Sequence, residues 1–478
     1  MQNLIRKYPA LLLSLLAFLV YFLTGARTIQ WQDSGQFTLR IGHGMLYNHW
    51  GLAMVHPLHY MLGRLACMLM PWNLPWAVTA VSALGGAAAV GGTYACTSRW
   101  TGCWKSATFA AFTLMLAHTF WRFSGLPEVY TLSAALLIFQ VYCLLRIRQD
   151  HDTGWWVPLM GLNGLSWANH NLALLELAIL APLFLLAWRR KAFSHLTALY
   201  AILFWIVGSL PYTALIFLTM VQQASFWPVI HSALFGYDFA GQVLGVSPRW
   251  VFTAVSIAFL ILSFPSLALP LGVRAAWRQR KALAPVLGLL LIHLLFVLRY
   301  DVIDQYTFLI PVFTLLAFFA GIGFHQTMHI PRLRQAALVL LCLQPFLYAL
   351  APTLVRRTAL LEKTGFTRNK PYRDDANYLF WPWTFLETSA EQIAKDAVEI
   401  AGPEGVIVVE DGMGLYALVW MLEAYGYDNA TVLRPADMEE LIEALNAQRQ
   451  TVWMPASTDH EIPQGWRPEK GVWVSDVF

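Results

Sequence analysis

Asp33 is the residue of this chain with the clearest chemical use. It belongs to the segment W-Q-D-S-G-Q at 31–36, directly after the first long apolar stretch. Gly35 permits a tight backbone there, and a carboxylate at the lipid–water boundary could act as a general base toward a lipid-borne substrate. Aspartate is also common at helix starts. The local sequence therefore leaves two roles open, a catalytic base and a helix cap.

A second polar cluster, H-P-L-H-Y at 56–60, follows in the same stretch of chain. Imidazoles near a phosphate supply hydrogen-bond donors and, when protonated, positive charge. A lone histidine is more often structural, but two beside the helix-initiating Pro57 favour a binding role. We therefore predict that His56, His59 and the nearby cation Arg64 bind substrate.

The remaining candidate binding residues lie at the ends of apolar stretches. Glu128, in L-P-E-V-Y at 126–130, could orient a sugar hydroxyl or simply favour the positive end of a helix dipole. Turns at two other places carry polar groups that could form the edge of a pocket. The candidates from these turns are Asn169, His170, Arg299, Asp301 and Gln305.

Glu176 is the one acidic residue clearly inside an apolar stretch. A charge at the bilayer centre costs roughly 2.5–3.5 kcal/mol on insertion scales, so a sequence admits few without a reason. We expect Glu176 to make structural hydrogen bonds or pair with a neighbouring helix rather than act in catalysis.

The composition predicts that most of these residues are held by membrane-spanning helices. Of 478 residues, 58% are hydrophobic and 13% are charged, and the mean hydropathy is +0.52. Soluble domains carry roughly 25% charged residues. The apolar residues also form blocks of the length that a helix needs to cross hydrocarbon. The fold class expected is a polytopic α-helical membrane protein.

Eleven spans are predicted between residues 9 and 352, including a single span at 250–272. If the N-terminus is cytoplasmic, every cytoplasmic connection is basic, beginning with Arg6 and Lys7, as the positive-inside rule requires. Two long loops, 26–74 and 218–249, then lie on the opposite, outer side. Residues His49–Met70 are expected to form an interfacial helix pair, with a further span as the alternative. The first apolar block is interpreted as a retained signal anchor.

Residues 353–385 are predicted to be a linker and 386–478 a small soluble α/β domain on the outer side. Strands are expected at 406–409, 431–433 and 451–454, in a parallel sheet, and Ser389 with Gln392 is typical of a capping box. Glu410-Asp411-Gly412 follows a strand, at the edge where open α/β sheets bind ligands. The pattern Gly412-Met413-Gly414 lacks the third glycine of a dinucleotide fingerprint, so no nucleotide cofactor is expected. The five cysteines lie in or beside apolar segments and indicate neither disulfides nor a zinc site.

The motifs taken in order resemble a known family. They are D-S-G-Q at 33, H-P at 56, P-E-V-Y at 127, N-H at 169, Y-D-x-x-D-Q-Y at 300 and P-Y-R-D at 371. The resemblance is to a large family of membrane proteins long labelled as a domain of unknown function, which includes an animal transmembrane protein O-mannosyltransferase and belongs to the GT-C superfamily. Two departures are Gln36, where the family usually has Glu, and Leu58-His59 in a motif that is usually H-P-P-G-Y-P.

The resemblance implies a GT-C-like fold and a glycosyltransferase. A sugar, mannose in the animal relative, would pass from a polyprenyl-phosphate donor to a hydroxyl on protein or glycan at the outer membrane face. In GT-C enzymes an acidic residue of the first outer loop is the candidate base, which here is Asp33. A bacterial inner-membrane location is expected, with no cofactor and no nucleic-acid partner. No metal is expected either, because Gln36 stands where the family often has Glu and leaves Asp33 without a close acidic partner in the sequence. A transporter or a non-catalytic assembly protein is the alternative.

Overall fold

The computed structural model describes residues 8–245, 249–364 and 367–475. Arg6 and Lys7, on which the topology prediction partly depends, lie outside the described residues, as do residues 246–248 of the second predicted outer loop.

The described chain from residue 9 to 364 is built from α-helices joined by short turns. These helices are α1 (Pro9–Thr24), α2 (Gln32–Gly42), α3 (Pro57–Leu69), α4 (Leu74–Thr101), α5 (Trp104–Met115), α6 (His118–Ser124), α7 (Tyr130–Asp150), α8 (Trp156–Asn169), α9 (Ala173–Arg189), α10 (His195–Gln223), α11 (Trp227–Phe235), α12 (Ala240–Leu244), α13 (Trp250–Ser263), α14 (Ala268–Arg278), α15 (Ala284–Arg299), α16 (Ile310–Gln326), α17 (Pro331–Thr358) and α18 (Leu360–Thr364).

Helix α16 forms the centre of the helical part. Every residue from Ile310 to Phe324 is buried, and the helix packs against α4, α5, α7 and α14. A Cβ atom at Gly321 would lie 2.6 Å from Thr97 Cγ2 and 2.7 Å from Ala110 Cβ. The absence of a side chain at Gly321 therefore lets α4 and α5 approach α16 closely, as small residues do between membrane helices.

Among the described residues, five helices are long and apolar enough to cross a membrane, or six if the bent pair α13 and α14 is one span. Helices α1 and α15 are apolar but shorter, with 16 residues each. Helices α8 and α9 have 14 and 17 residues. The total of eleven spans therefore stays a prediction.

The stretch 250–272, predicted as one continuous span, is broken. Helices α13 and α14 meet at an angle of 101°. Pro265 has no N–H group and disfavours helical backbone at Phe264. The Ser266 hydroxyl then accepts a hydrogen bond from the N–H of Ala268 at 3.2 Å and starts the second helix.

Glu176 lies in α9 and is fully surrounded by protein. Its Oε2 atom accepts hydrogen bonds from the side chains of Gln140, at 2.6 Å, and Asn163, at 3.4 Å. The network joins α7, α8 and α9, which agrees with the structural role expected for Glu176.

The first outer loop contains α2, a 3₁₀ turn at Leu52–Met54, and α3. The expected helix pair at His49–Met70 is thus a 3₁₀ turn followed by one α-helix. With 13 residues, α3 extends about 20 Å, less than the roughly 30 Å of a bilayer core. It is not among the helices long enough to span.

The C-terminal part of the described chain is an α/β unit. Its helices are α19 (Asp375–Phe380), α20 (Ser389–Ala401), α21 (Leu415–Tyr425) and α22 (Met438–Asn446), and its strands are β1 (Val406–Val409), β2 (Thr431–Leu433), β3 (Thr451–Met454), β4 (Trp466–Glu469) and β5 (Val472–Ser475).

The three predicted strands are confirmed, but the sheet is mixed. Its order is β2-β1-β3-β5-β4. Strand β1 pairs in parallel with β2 and β3, whereas β5 pairs antiparallel with β3 and β4. A two-residue turn at Lys470-Gly471 joins β4 to β5, and so short a connection permits only antiparallel pairing.

The capping box predicted at Ser389 is wrong. Helix α20 begins at Ser389 itself, and its N-cap residue, Thr388, makes no side-chain cap bond. The Ser389 hydroxyl instead accepts a hydrogen bond from Trp31 Nε1 at 2.8 Å. A bond to the first outer loop therefore replaces the local cap.

The C-terminal unit packs directly on the first outer loop. Ile29 and Trp31 belong to the same buried apolar cluster as Ile393, Leu418 and other residues of the C-terminal core. The Thr384 N–H donates to the carbonyl of Thr24 at 2.8 Å. The first outer loop and the C-terminal unit therefore lie on the same side of the helical part, called the outer side below.

Candidate active site

Asp33 lies in the first turn of α2. Trp31 precedes the helix with extended backbone, and Gln32 has φ of 57°. The negative charge is thus at the positive end of the helix dipole. The N-cap residue of this helix is Trp31 rather than Asp33, and Trp31 makes no side-chain cap hydrogen bond. Within the described residues the Asp33 carboxylate has no hydrogen-bond or ion-pair partner, so it is available to a substrate.

Asp33 lines a cavity of about 700 Å³ between the outer ends of the helices and the C-terminal unit. The first outer loop, the turns before α7, α9 and α16, the segment before α13, and the C-terminal unit all contribute to its wall. The lining residues with polar or charged side chains include Gln32, Asp33, Ser34, Gln36, His49, His56, Arg122, Glu128, Tyr130, His170, Asn171, Arg299, Tyr300, Asp304, Tyr306, Tyr378, Tyr416 and Arg434.

Three carboxyl groups meet in this cavity. Ser34 donates a hydrogen bond to Glu128 Oε1 at 3.0 Å, which ties the residue next to Asp33 to Glu128. Asp304 reaches the same cavity from the turn before α16. Burial and the charge of Asp33 raise the pKa of Glu128 well above its usual range, and burial raises the pKa of Asp304.

The Asp33 side chain is accessible from the cavity, yet protein atoms surround the carboxylate on most sides. The cavity wall therefore replaces much of the water that would hydrate an open surface carboxylate. Burial, and next the charge of Asp304, raise the pKa of Asp33 to about 7. At neutral pH this carboxyl group exchanges readily between its charged and neutral forms, as a general base requires.

His56 and His170 stack in the cavity wall, with ring centroids 5.0 Å apart. Burial lowers the pKa of His56 to about 4 and that of His170 well below its usual value. His56 Nδ1 donates to the carbonyl of Asn169 at 2.8 Å, and His170 Nδ1 accepts the N–H of Leu172 at 3.0 Å. Both rings are thus neutral at pH 7 and offer His56 Nε2 as an acceptor and His170 Nε2–H as a donor. The positive charge expected from them is absent.

Three arginines supply positive charge around the cavity. Arg299 donates to the carbonyl of Gly245 at 2.5 Å. Arg122 donates to the carbonyl of Trp381 at 3.2 Å and lies over the ring of Tyr378 at 4.4 Å. Arg434 comes from the C-terminal unit. These guanidinium groups could hold a phosphate or another anion.

Five of the predicted site residues lie together in the cavity wall: Asp33, His56, Glu128, His170 and Arg299. The other five do not line it. The Arg64 guanidinium donates to the carbonyls of Ile41 and Gly42 at 2.7 and 2.8 Å, which satisfies the end of α2. His59 is buried against Phe37 at a centroid distance of 5.2 Å.

The three remaining predicted residues have structural partners. Asn169 donates to Ser133 Oγ at 2.8 Å. Asp301 pairs with Arg249 at 3.4 Å. Gln305 accepts a bond from the Ser256 hydroxyl at 2.7 Å. These three side chains hold the turns of the cavity wall in position and do not face the interior of the cavity.

Several cavity residues were not selected from the sequence. Asp304 lies in the Y-D-x-x-D-Q-Y motif at 300–306, but only Asp301 and Gln305 of that motif were predicted as site residues. Arg122, Tyr378, Tyr416 and Arg434 come from segments far apart in the chain, and no local pattern marks them. Only the contact between the C-terminal unit and the first outer loop brings them together.

Comparison with known proteins supports the motif resemblance. Residues 53–195 match the family model described as the protein O-mannosyl-transferase TMEM260 N-terminal domain. This segment contains α3 to α9 and the cavity residues His56, Glu128 and His170. No curated protein is significantly similar to the chain.

Two solved structures of ArnT share the fold of this chain at low sequence identity. ArnT from Cupriavidus metallidurans in the apo state is 14% identical, with a TM-score of 0.62, over 93% of this chain and 92% of that one. ArnT bound to undecaprenyl phosphate is 15% identical, with a TM-score of 0.59, over the same 93% and 92%. The Archaeoglobus fulgidus oligosaccharyltransferase tethered with an acceptor peptide is 13% identical, with a TM-score of 0.48, over 94% of this chain and 69% of that one.

The resemblance predicted from the ordered motifs is thereby confirmed. The chain shares its fold with ArnT, and over residues 53–195 it is similar to the family of the protein O-mannosyl-transferase TMEM260.

Proposed function

We propose that this protein is a glycosyltransferase that moves a sugar from a polyprenyl-phosphate donor to an acceptor hydroxyl on the outer side of the membrane. The observation that carries the proposal is the position of Asp33. Its carboxylate is accessible from a cavity of about 700 Å³, and its pKa of about 7 suits a general base. The fold shared with ArnT supports the same reaction class.

The donor lipid would enter along the apolar part of the cavity wall. This part comes from the start of α9 and from the second outer loop, and it includes Leu174, Leu175, Leu234, Phe239 and Val243. Such a surface fits an isoprenoid chain, and the crystal structure of ArnT bound to undecaprenyl phosphate supports this proposal. Arg299, bonded to Gly245 beside this surface, would hold the donor phosphate.

Asp33 would remove the proton from the acceptor hydroxyl as its oxygen attacks the anomeric carbon. The bond between that carbon and the phosphate oxygen breaks in the same step, so a single displacement inverts the anomeric configuration. The leaving polyprenyl phosphate takes the bonding electron pair. Arg299 and Arg122 would stabilise its charge, which matters more than protonation because phosphate already leaves well.

The acceptor and the sugar follow from the resemblance rather than from the cavity. We propose a hydroxyl on a protein or a glycan as the acceptor, and mannose as the sugar, because the matching family is named after a protein O-mannosyl-transferase. A bacterial inner-membrane location is proposed with them.

Transfer of label from a polyprenyl-phosphate sugar by the purified protein tests the proposal. Asp33→Asn keeps the size of the side chain and removes the base, so we expect transfer to fall about 10²- to 10⁴-fold. Asp428→Asn is the matched control, because Asp428 is exposed in the C-terminal unit and does not line the cavity. Equal activity in Asp33→Asn and the wild type would contradict the role of Asp33. No release of sugar by the wild type would favour a transporter or an assembly protein.

A further inference from the structure

The carboxyl ends of the parallel strands β1 and β2 of the C-terminal sheet lie toward the cavity. The segment after β1 contributes Gly412, Met413 and Tyr416 to the cavity wall, and Arg434 follows directly after β2. Parallel strands β1 and β2 both end at this edge. In open α/β sheets, ligands bind outside the carboxyl ends of the parallel strands. The C-terminal unit is therefore placed to bind a ligand in the same cavity as Asp33.

Among the residues of this edge that line the cavity, Arg434 is the charged one. Glu410 and Asp411 follow β1 at the same edge but pair with His460 and Lys370 and do not line the cavity. The Arg434 side chain is exposed, and in residues 8–245, 249–364 and 367–475 its guanidinium has no hydrogen-bond or ion-pair partner. Its backbone N–H donates to Asp437 Oδ2 at 2.7 Å, which fixes the main chain without occupying the side chain. Arg122 and Arg299, by contrast, already donate to backbone carbonyls.

Arg40 and Arg434 both place positive charge near His49. Burial and the charges of Arg40 and Arg434 together lower the pKa of His49, which lines this side of the cavity. Tyr416 lies next to His49, with ring centroids 6.4 Å apart, and accepts a hydrogen bond from Gln36 at 2.6 Å. An anion placed here would meet an unpaired guanidinium beside aromatic rings.

The two arginines Arg299 and Arg434 belong to different parts of the wall. Arg299 is bonded to Gly245, next to the apolar surface proposed for the polyprenyl chain. Arg434 belongs to the C-terminal unit, which is not part of the helical bundle. The donor phosphate therefore has its own cation, and Arg434 is left for the second substrate.

We propose that Arg434 binds an anionic group, a phosphate or a carboxylate, of the acceptor substrate. The proposal rests on the proposed glycosyltransferase function and adds that the acceptor is anionic. Arg434 would act as a specificity-determining residue, because its planar guanidinium binds phosphate or carboxylate through two parallel hydrogen bonds.

Calorimetric titration of the purified full-length protein tests this without knowledge of the acceptor. Undecaprenyl phosphate serves as the probe for the donor site. Inorganic phosphate, titrated into protein already saturated with undecaprenyl phosphate, probes the second site, with chloride at the same ionic strength as the baseline. We expect the saturated wild type to bind phosphate, Arg434→Ala to weaken it by roughly ten-fold or more, and Arg434→Lys to restore part of the loss.

The affinity for undecaprenyl phosphate should be unchanged in Arg434→Ala. Lys395→Ala is the control, since Lys395 is an exposed cation on α20 that does not line the cavity, and both affinities should stay at the wild-type level.

Three results would overturn the proposal. Phosphate binding that is lost when undecaprenyl phosphate is present means that both probes share one site. If Arg434→Ala weakens the binding of undecaprenyl phosphate as much as the binding of inorganic phosphate, Arg434 binds the donor instead. If the phosphate affinity is equal in Arg434→Ala and in the wild type, Arg434 does not bind the anion. A wild type that binds phosphate through Arg434 but no undecaprenyl phosphate would instead count against the proposed donor.

Discussion

Asp33 owes its raised pKa first to burial in the cavity wall and then to the charge of Asp304. A general base must be ionised, so we expect kcat/KM to be highest above about pH 7 and to fall as the pH decreases through that value. Asp304→Asn removes the negative charge at position 304 but leaves Asp33 as buried as before. The acid limb of the profile should therefore move to lower pH, yet stay above the ordinary aspartate pKa of about 3.9.

The measurement is the pH dependence of kcat/KM in the wild type and in Asp304→Asn. The midpoint of the limb is the readout, because the substitution also changes the maximum rate. A limb that stays in place or moves to higher pH would show that a group other than Asp33 controls it.

The meeting of Asp33, Glu128 and Asp304 bears on the role of metal. The expectation of metal-free transfer was based on Asp33 having no acidic partner nearby in the sequence, and the fold supplies two. In the described part of the chain, no set of three His, Cys, Asp or Glu side chains is arranged to hold a metal ion. A phosphate held by arginines needs no bridging cation.

We therefore still predict that transfer needs no divalent metal. Activity of the purified protein should be the same after exhaustive chelation and after addition of magnesium or manganese. Activity that disappears on chelation and returns with either ion would contradict this and would make the three carboxylates the first candidates for its ligands.

At the scale of elements, α2 and its preceding turn determine where Asp33 points. A Cβ atom at Gly35 would lie 2.2 Å from the carbonyl oxygen of Gln30, so a side chain at position 35 would force the turn to shift. Gln36, the departure from the family pattern, joins α2 to its surroundings: it donates to Tyr416 at 2.6 Å and accepts from Asn48 at 2.9 Å.

Gly35→Ala should displace the start of α2 and with it the Asp33 carboxylate. Because a misplacement of about 1 Å can reduce catalysis roughly 10²-fold, we expect at least a ten-fold loss of transfer with normal membrane insertion. Gly241→Ala is the control, since a Cβ there meets no atom within 4 Å. Wild-type transfer by Gly35→Ala would mean that the turn relaxes without moving Asp33.

At the scale of the whole molecule, the C-terminal unit completes the cavity and shares a core with Ile29 and Trp31 of the first outer loop. The two therefore form one structural unit on one side of the helical bundle. The basic connections, among them the one at Lys191, are predicted to lie on the cytoplasmic side.

Labelling of single cysteines in a variant without the five native cysteines tests this topology. A membrane-impermeant maleimide should label Asp428→Cys in intact cells and Lys191→Cys only after permeabilisation. Both positions are exposed in the structure, so access depends on the membrane alone. Labelling of Asp428→Cys only in permeabilised cells would place the cavity in the cytoplasm and contradict a reaction on the outer side.

The sequence by itself determined what depends on composition and on neighbouring residues. Long apolar runs predict helices that cross a membrane, and the short runs rich in β-branched and aromatic residues at 406–409 and 451–454 indicated strands that the structure confirms. The ordered motifs also indicated the family whose model residues 53–195 match. Five predicted site residues line the cavity because polar groups at the outer ends of apolar helices have few other places to lie.

Only the tertiary structure decided which distant residues meet. Glu128 lies 94 residues from the Ser34 hydroxyl that bonds it, and Tyr416 lies 380 residues from Gln36. Such contacts depend on how α16 and the C-terminal unit pack, and no local pattern encodes them. For the same reason Arg64, a predicted substrate-binding residue, donates instead to the carbonyls at the end of α2. Arg434 lines the cavity, and its guanidinium has no partner among the described residues.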